Sequence, residues 1–136
     1  MKTIAQDMRA LVSMPAAQPS PAGFATVEAM ALCDLNQHIT QQPAATFYLR
    51  IQGDSMMQLG IFDADLLVVD RTLEPAHGDV VIVELNGERI CKVLDLHFRQ
   101  LLAGNDAYPS MPLRDIPALA IAGVVTHSLR YHRELS

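Results

Sequence analysis

A chain of 136 residues has room for one compact domain and little more. Half of the residues are apolar and 18% are charged, which excludes a disordered or fibrous chain and leaves a soluble globular one. A net charge of −5 argues against a protein whose main task is gripping phosphate backbones. With three Tyr, four Phe and no Trp, aliphatic side chains must fill the core. Cys33 and Cys91 lack metal-ligand spacing and neither sits in a CxxC pair, so two free thiols are expected.

From the N-terminus, Gln6, Asp7 and Arg9 break the apolar run before it reaches the length of a secretory leader. Residues 4–12 read as a short helix. Pro15, Pro19 and Pro21 follow within residues 14–23, and three prolines so close exclude regular helix and weaken any sheet. Residues 1–25 are therefore expected to form an extended, mobile arm, with a β-rich domain over 26–136. In residues 26–35, Val27, Met30 and Ala31 share one side of an amphipathic turn or short helix. Strands are expected at 47–51, 65–70, 79–85, 88–96, 97–102 and 120–129, with Asn86-Gly87 as a two-residue hairpin turn. Short strands punctuated by Gly53, Gly60, Gly78 and Gly104 argue for a mostly β fold. The longest apolar stretch, 116–125, carries Pro117 and Gly123 and is too short for a membrane span, so a cytoplasmic protein is expected.

Two features carry chemistry. Gly53-Asp54-Ser55-Met56 follows a strand in a turn opened by glycine. A serine there can project its hydroxyl outward, and the backbone N–H groups of Gly53 and Ser55 can face a developing oxyanion. Alone, this is also an ordinary turn composition. Lys92 is the odd residue on its strand: parity puts it with Ile90, Leu94 and Leu96, the apolar face. Desolvation there favours the neutral amine, the form that can take a proton from serine. Alone, an edge lysine reaching for water is the better explanation.

Other candidates have plainer explanations. Asp63, Asp65 and Asp70 read as turn and strand-end residues, and no metal is expected. His77 reads as a turn residue and His127 as a strand residue; a Ser-His-Asp triad would need one of them beside Ser55. Met56 and Met57 are expected to pack near the cleft.

Taken together, residues 49–56, 63–71, 77–81, 92–94 and 123–129 occur in the order of segments in the LexA/UmuD autopeptidases, with Lys92 37 residues after Ser55. The chain resembles that family over about residues 17–131. The resemblance implies a LexA/signal-peptidase-like β-rich peptidase fold, Ser55 as nucleophile, Lys92 as general base and no cofactor. It also implies that the serine cuts its own chain, stimulated by RecA filaments on single-stranded DNA. About 45 residues precede the first core strand, too few for the helix-turn-helix domain of LexA-type repressors. Pro19-Ser20-Pro21-Ala22, Val27-Glu28, residues 34–37 and residues 43–46 resemble the UmuD branch. That branch implies a homodimer in the SOS response, serving a UmuC-like Y-family translesion polymerase. Strands 80–85 and 120–129 are expected to offer edges for the partner copy, without duplex DNA binding.

The scissile bond departs from the family pattern of Ala or Cys before Gly. Choosing by dipeptide gives Ala22-Gly23, followed by Phe24; aligning on Pro19-Ser20-Pro21-Ala22 gives Ala16-Ala17. Ala22-Gly23 is preferred. Rival readings are a non-catalytic polymerase-binding module of the same fold and a peptidase fragment of a LexA-type repressor. A signal-peptidase relative would carry a membrane anchor, and none is expected here.

Overall fold

The computed structural model describes residues 23, 25–29, 34–117 and 120–133. The chain divides into two units, Met1–His38 and Ile39–Ser136. The expected helix at 4–12 lies outside the described residues, as does the arm up to residue 22. Residues 25–29 have no regular secondary structure, residues 30–33 of the amphipathic turn or short helix expected over 26–35 lie outside the described residues, and helix α1 spans Leu35–Ile39. The Asp34 carboxylate accepts the Asn36 N–H at 3.0 Å and so fixes the start of α1. No helix among the described residues is long and apolar enough to cross a membrane.

Among the described residues, the second unit carries one antiparallel sheet of seven strands. They are β1 (Thr46–Arg50), β2 (Leu66–Asp70), β3 (Val80–Leu85), β4 (Glu88–Asp95), β5 (Gln100–Leu102), β6 (Met111–Pro112) and β7 (Ile121–Leu129). Their order across the sheet is β1-β2-β7-β3-β4-β5-β6. The fold is mostly β, as expected.

Alternation along β3 shows how the core is divided. Ile82 packs with Ile51, Met56, Ile61, Leu67 and Val69 on one face. Val81 and Val83 pack with Leu94, Leu101 and Val124 on the other. Side chains on a strand alternate between faces, so a strand buried on both reads as an unbroken apolar run, as residues 80–83 do. The β3–β4 hairpin closes at Leu85↔Glu88. Asn86 and Gly87 both have positive φ, 52° and 81°, the backbone that tight two-residue hairpins require.

Three expectations fail for local or topological reasons. Residues 97–99 are not strand: the Asp95 carboxylate accepts the N–H groups of His97 and Phe98 at 3.0 and 3.2 Å and turns the chain. The edges expected on 80–85 and 120–129 are largely covered, because β7 lies between β2 and β3, and β3 between β7 and β4. Strand β6 was not foreseen; it holds Pro112, which the outermost strand tolerates because its missing N–H breaks no ladder.

Candidate active site

The loop from Gln52 to Ala64 is closed at its base by two hydrogen bonds. The Ala64 N–H donates to the Ile51 carbonyl at 2.9 Å, and the Ile51 N–H to the Asp65 carbonyl at 3.0 Å. Across the loop, the Gly53 N–H donates to Asp63 Oδ1 at 2.8 Å, with Gly53 at φ 99°, a conformation that favours glycine. Within it, the Met57 N–H reaches the Asp54 carbonyl at 3.2 Å, making a turn with Ser55 and Met56 at its centre. Met56 is fully buried and anchors the turn, and its carbonyl accepts the N–H groups of Leu59 and Ile61. Ser55 beside it is half-buried. Met57 is 42% exposed, so only Met56 of the two packs as expected.

Lys92 arrives from β4, opposite Val81 across the hairpin. Its strand neighbours of like parity, Ile90 and Leu94, pack in the second core, as strand parity requires. Leu96 does not belong to that face: it lies beyond the end of β4 and is 45% exposed. Strand β5 pairs with β4 only from Val93 to Asp95. The β4 edge over 88–92 therefore has no strand partner on that side among the described residues.

Ser55 and Lys92 line one cleft of about 570 Å³, together with Leu49, Ile51, Gln52, Cys91 and Tyr108. No hydrogen bond joins Ser55 to Lys92 directly. Such bonds are commonly long before a substrate is seated. Burial pushes the Cys91 thiol up to about 12, against a smaller opposing pull from the Lys92 ammonium. Cys91 packs against the first core cluster and forms part of the cleft wall. The Gly53 N–H, expected at the oxyanion, is already committed to Asp63, so of the two expected backbone donors Ser55's remains.

The aspartates have structural tasks. Asp63 holds the serine loop. Asp65, 1% exposed, pairs with Arg130 at 2.9 Å and also accepts the Phe62 N–H. Asp70 accepts the Thr72 hydroxyl and N–H at 2.6 and 2.7 Å. Among the described residues no group of three or more His, Cys, Asp or Glu is placed to hold a metal ion. His77 accepts the Leu96 N–H at 3.1 Å and stacks on His97, and His127 lies on β7 beside Thr126. Neither lines the Ser55 cleft. Of the scissile candidates, Ala16, Ala17 and Ala22 lie outside the described residues; Gly23 is exposed with φ 89°.

Sequence reasoning missed Tyr108, Asn105 and Arg130. The first two sit in a segment that reads only as a turn. Arg130 follows the last strand and braces the serine loop through Asp65 and the Gly60 carbonyl, at 2.9 Å each.

Comparison with known proteins bears on the same stretch of chain. The pattern of the Peptidase S24-like family matches residues 11–126. Protein ImpA of Salmonella typhimurium is 44% identical over 117 residues, 86% of this chain and 79% of ImpA. Protein SamA of Salmonella typhimurium strain LT2 is 40% identical over 117 residues, 85% of this chain and 81% of SamA. The LexA repressor of Xylella fastidiosa is 36% identical over 93 residues, 67% of this chain and 44% of the repressor. A β-sheet scaffold that turns a serine and a lysine into one cleft, with a family match across nearly the whole chain, leads to one conclusion: the chain belongs to the Peptidase S24-like family.

Proposed function

We propose that this protein is a self-cleaving serine peptidase with a Ser55-Lys92 dyad, which removes its own N-terminal arm, residues 1–25 or part of it. The observation that carries the reading is the shared cleft: two residues 37 positions apart, one in a loop and one on a strand, line the same recess. Neutral Lys92 takes the Ser55 Oγ proton as Oγ attacks the carbonyl carbon of Ala22, or of Ala16 in the alternative register. The Ser55 N–H stabilises the oxyanion. When the C–N bond breaks, Lys92 returns the proton to the leaving amine of Gly23 or Ala17. Water, deprotonated by Lys92, then attacks the acyl carbon, the C–Oγ bond breaks, and Lys92 returns the proton to Ser55 Oγ. The β4 edge over 88–92, without a strand partner among the described residues, supports the reading further, because an extended peptide substrate can pair there as an added strand.

The reading includes the setting that the likeness to ImpA and SamA supports: a UmuD-like protein of SOS mutagenesis. In that setting the chain acts in the cytoplasm as a homodimer. A RecA filament on single-stranded DNA stimulates the cut, and the product serves a Y-family translesion polymerase. The test is intact-mass analysis after incubation with RecA, an ATP analogue and single-stranded DNA. The expected result is loss of about 16–22 residues, on the bond assignments above. Gly23→Glu and Ala17→Glu, tested separately, identify the bond, since a bulky charge blocks only the true site. A new terminus beyond Thr46, or no cut under any condition, would overturn the reading.

A further inference from the structure

We propose that Tyr108 is a positioning residue for Ser55, acting through a hydrogen-bonded latch on Asp54; this inference rests on the Ser-Lys reading above. The Tyr108 hydroxyl donates to Asp54 Oδ1 at 2.7 Å, and Asn105 Nδ2 donates to the Asp54 carbonyl at 3.2 Å. One turn further on, the Gln58 N–H donates to the Gly104 carbonyl at 2.7 Å. The loop after β5 thus grips the serine turn at the residue before Ser55 and again three residues after it. Gly104 makes the approach closer still: a Cβ there would lie 2.9 Å from the Met56 Cα. The Tyr108 ring also lines the cleft itself.

The arrangement has a chemical consequence. Ser55 sits in a turn whose first carbonyl is Asp54's, so the latch sets where Oγ points relative to Lys92. Small displacements at a reacting atom are costly, about a hundredfold for a misplacement of about 1 Å. Tyr108 can hold the latch only while it keeps its proton. The hydrogen bond to Asp54, and then the charge of that carboxylate, hold the phenol above the ordinary tyrosine range. A phenolate would repel the carboxylate and open the latch.

The test uses the full chain and measures the rate of self-cleavage across alkaline pH by intact mass, with circular dichroism at each pH to confirm folding. In the wild type the rate falls at the alkaline end of the range, when Tyr108 ionises. Tyr108→Phe should cut about ten- to a hundredfold more slowly at the wild-type optimum and lack the falling limb. Asp54→Ala should show the same loss, and the double variant should be no slower than the slower single. Asp54→Asn, which keeps an acceptor oxygen for the hydroxyl, should recover most of what Asp54→Ala loses. The latch is wrong if Tyr108→Phe cuts at the wild-type rate with the same falling limb, or if the two single losses multiply. A wild type that stays intact at every pH overturns the dyad and the latch together; an active wild type indifferent to Tyr108 overturns the latch alone.

Discussion

Ser55 and Lys92 come from unlike surroundings. Ser55 sits in a hydrogen-bonded turn anchored by buried Met56, and Lys92 on a strand whose like-parity neighbours are core residues. Ser55→Ala and Lys92→Ala should each abolish self-cleavage and leave the melting curve unchanged, since neither side chain is part of the core. The losses should not add, because the two act as one unit. Lys92→Arg should be equally inactive, as a guanidinium keeps its proton at any usable pH. Intact mass over time is the readout. Cys91 gives a second check on the cleft wall. With its thiol pushed up to about 12, alkylation in the folded protein at pH 8 should be on the order of a thousandfold slower than in urea, followed by peptide mapping.

At the level of elements, the site is a loop held in place by another loop. Gly104 stands where the two backbones touch, and a Cβ would meet the Met56 Cα at 2.9 Å and Leu59 side-chain atoms at 3.1 and 3.2 Å. Gly104→Ala should therefore lower stability by roughly 1–3 kcal/mol and slow the cut as well, measured by urea unfolding beside the mass assay. This contact also marks the limit of what the sequence shows. The β3–β4 hairpin was legible, because Asn86-Gly87 and the alternation around it are local signals. That Ser55 and Lys92 line one cleft was not legible in either segment alone, since a serine turn and a strand lysine each have ordinary explanations; only their order and spacing among the other segments singled them out. Tyr108 and Asn105 were not, since a partner 54 or 51 residues away leaves no mark in their own segment. Strands 80–85 and 120–129 were misjudged as edges for a related reason. The position of β7 between β2 and β3 is set by packing across the whole chain.

Across the whole molecule, the acid response follows from buried and bonded carboxylates. The Arg130 guanidinium holds Asp65 below the usual carboxylate range, the Thr72 hydroxyl and N–H do the same for Asp70, and the Gln100 amide, with the Phe98 and His97 N–H groups, for Asp95. A carboxyl lowered in the folded state is protonated first in the unfolded chain. Its contribution is therefore complete above the unfolded value of about 3.9 and is lost as pH falls through that value toward the folded one. Stability should be level above about pH 5 and fall steeply below pH 4. Asp65→Asn should lower the melting temperature at pH 7 and flatten the acid fall, which thermal melts at a series of pH values would show. The five-residue strand β1 and two-residue β6 are the outer strands of the sheet, so the proposed homodimer has those short edges and the β4 edge over 88–92 to cover.

The central claim is that Ser55 and Lys92 cut this chain without help from another protein. Intact mass after alkaline incubation of the purified full chain, beside Ser55→Ala, tests it most directly, because proton abstraction from serine needs an unprotonated base and no activator is present. The wild type should lose about 16–22 N-terminal residues at a rate that rises with pH, and Ser55→Ala should stay whole. A wild type that remains intact, or a Ser55→Ala chain that is cut at the same rate, would contradict the account.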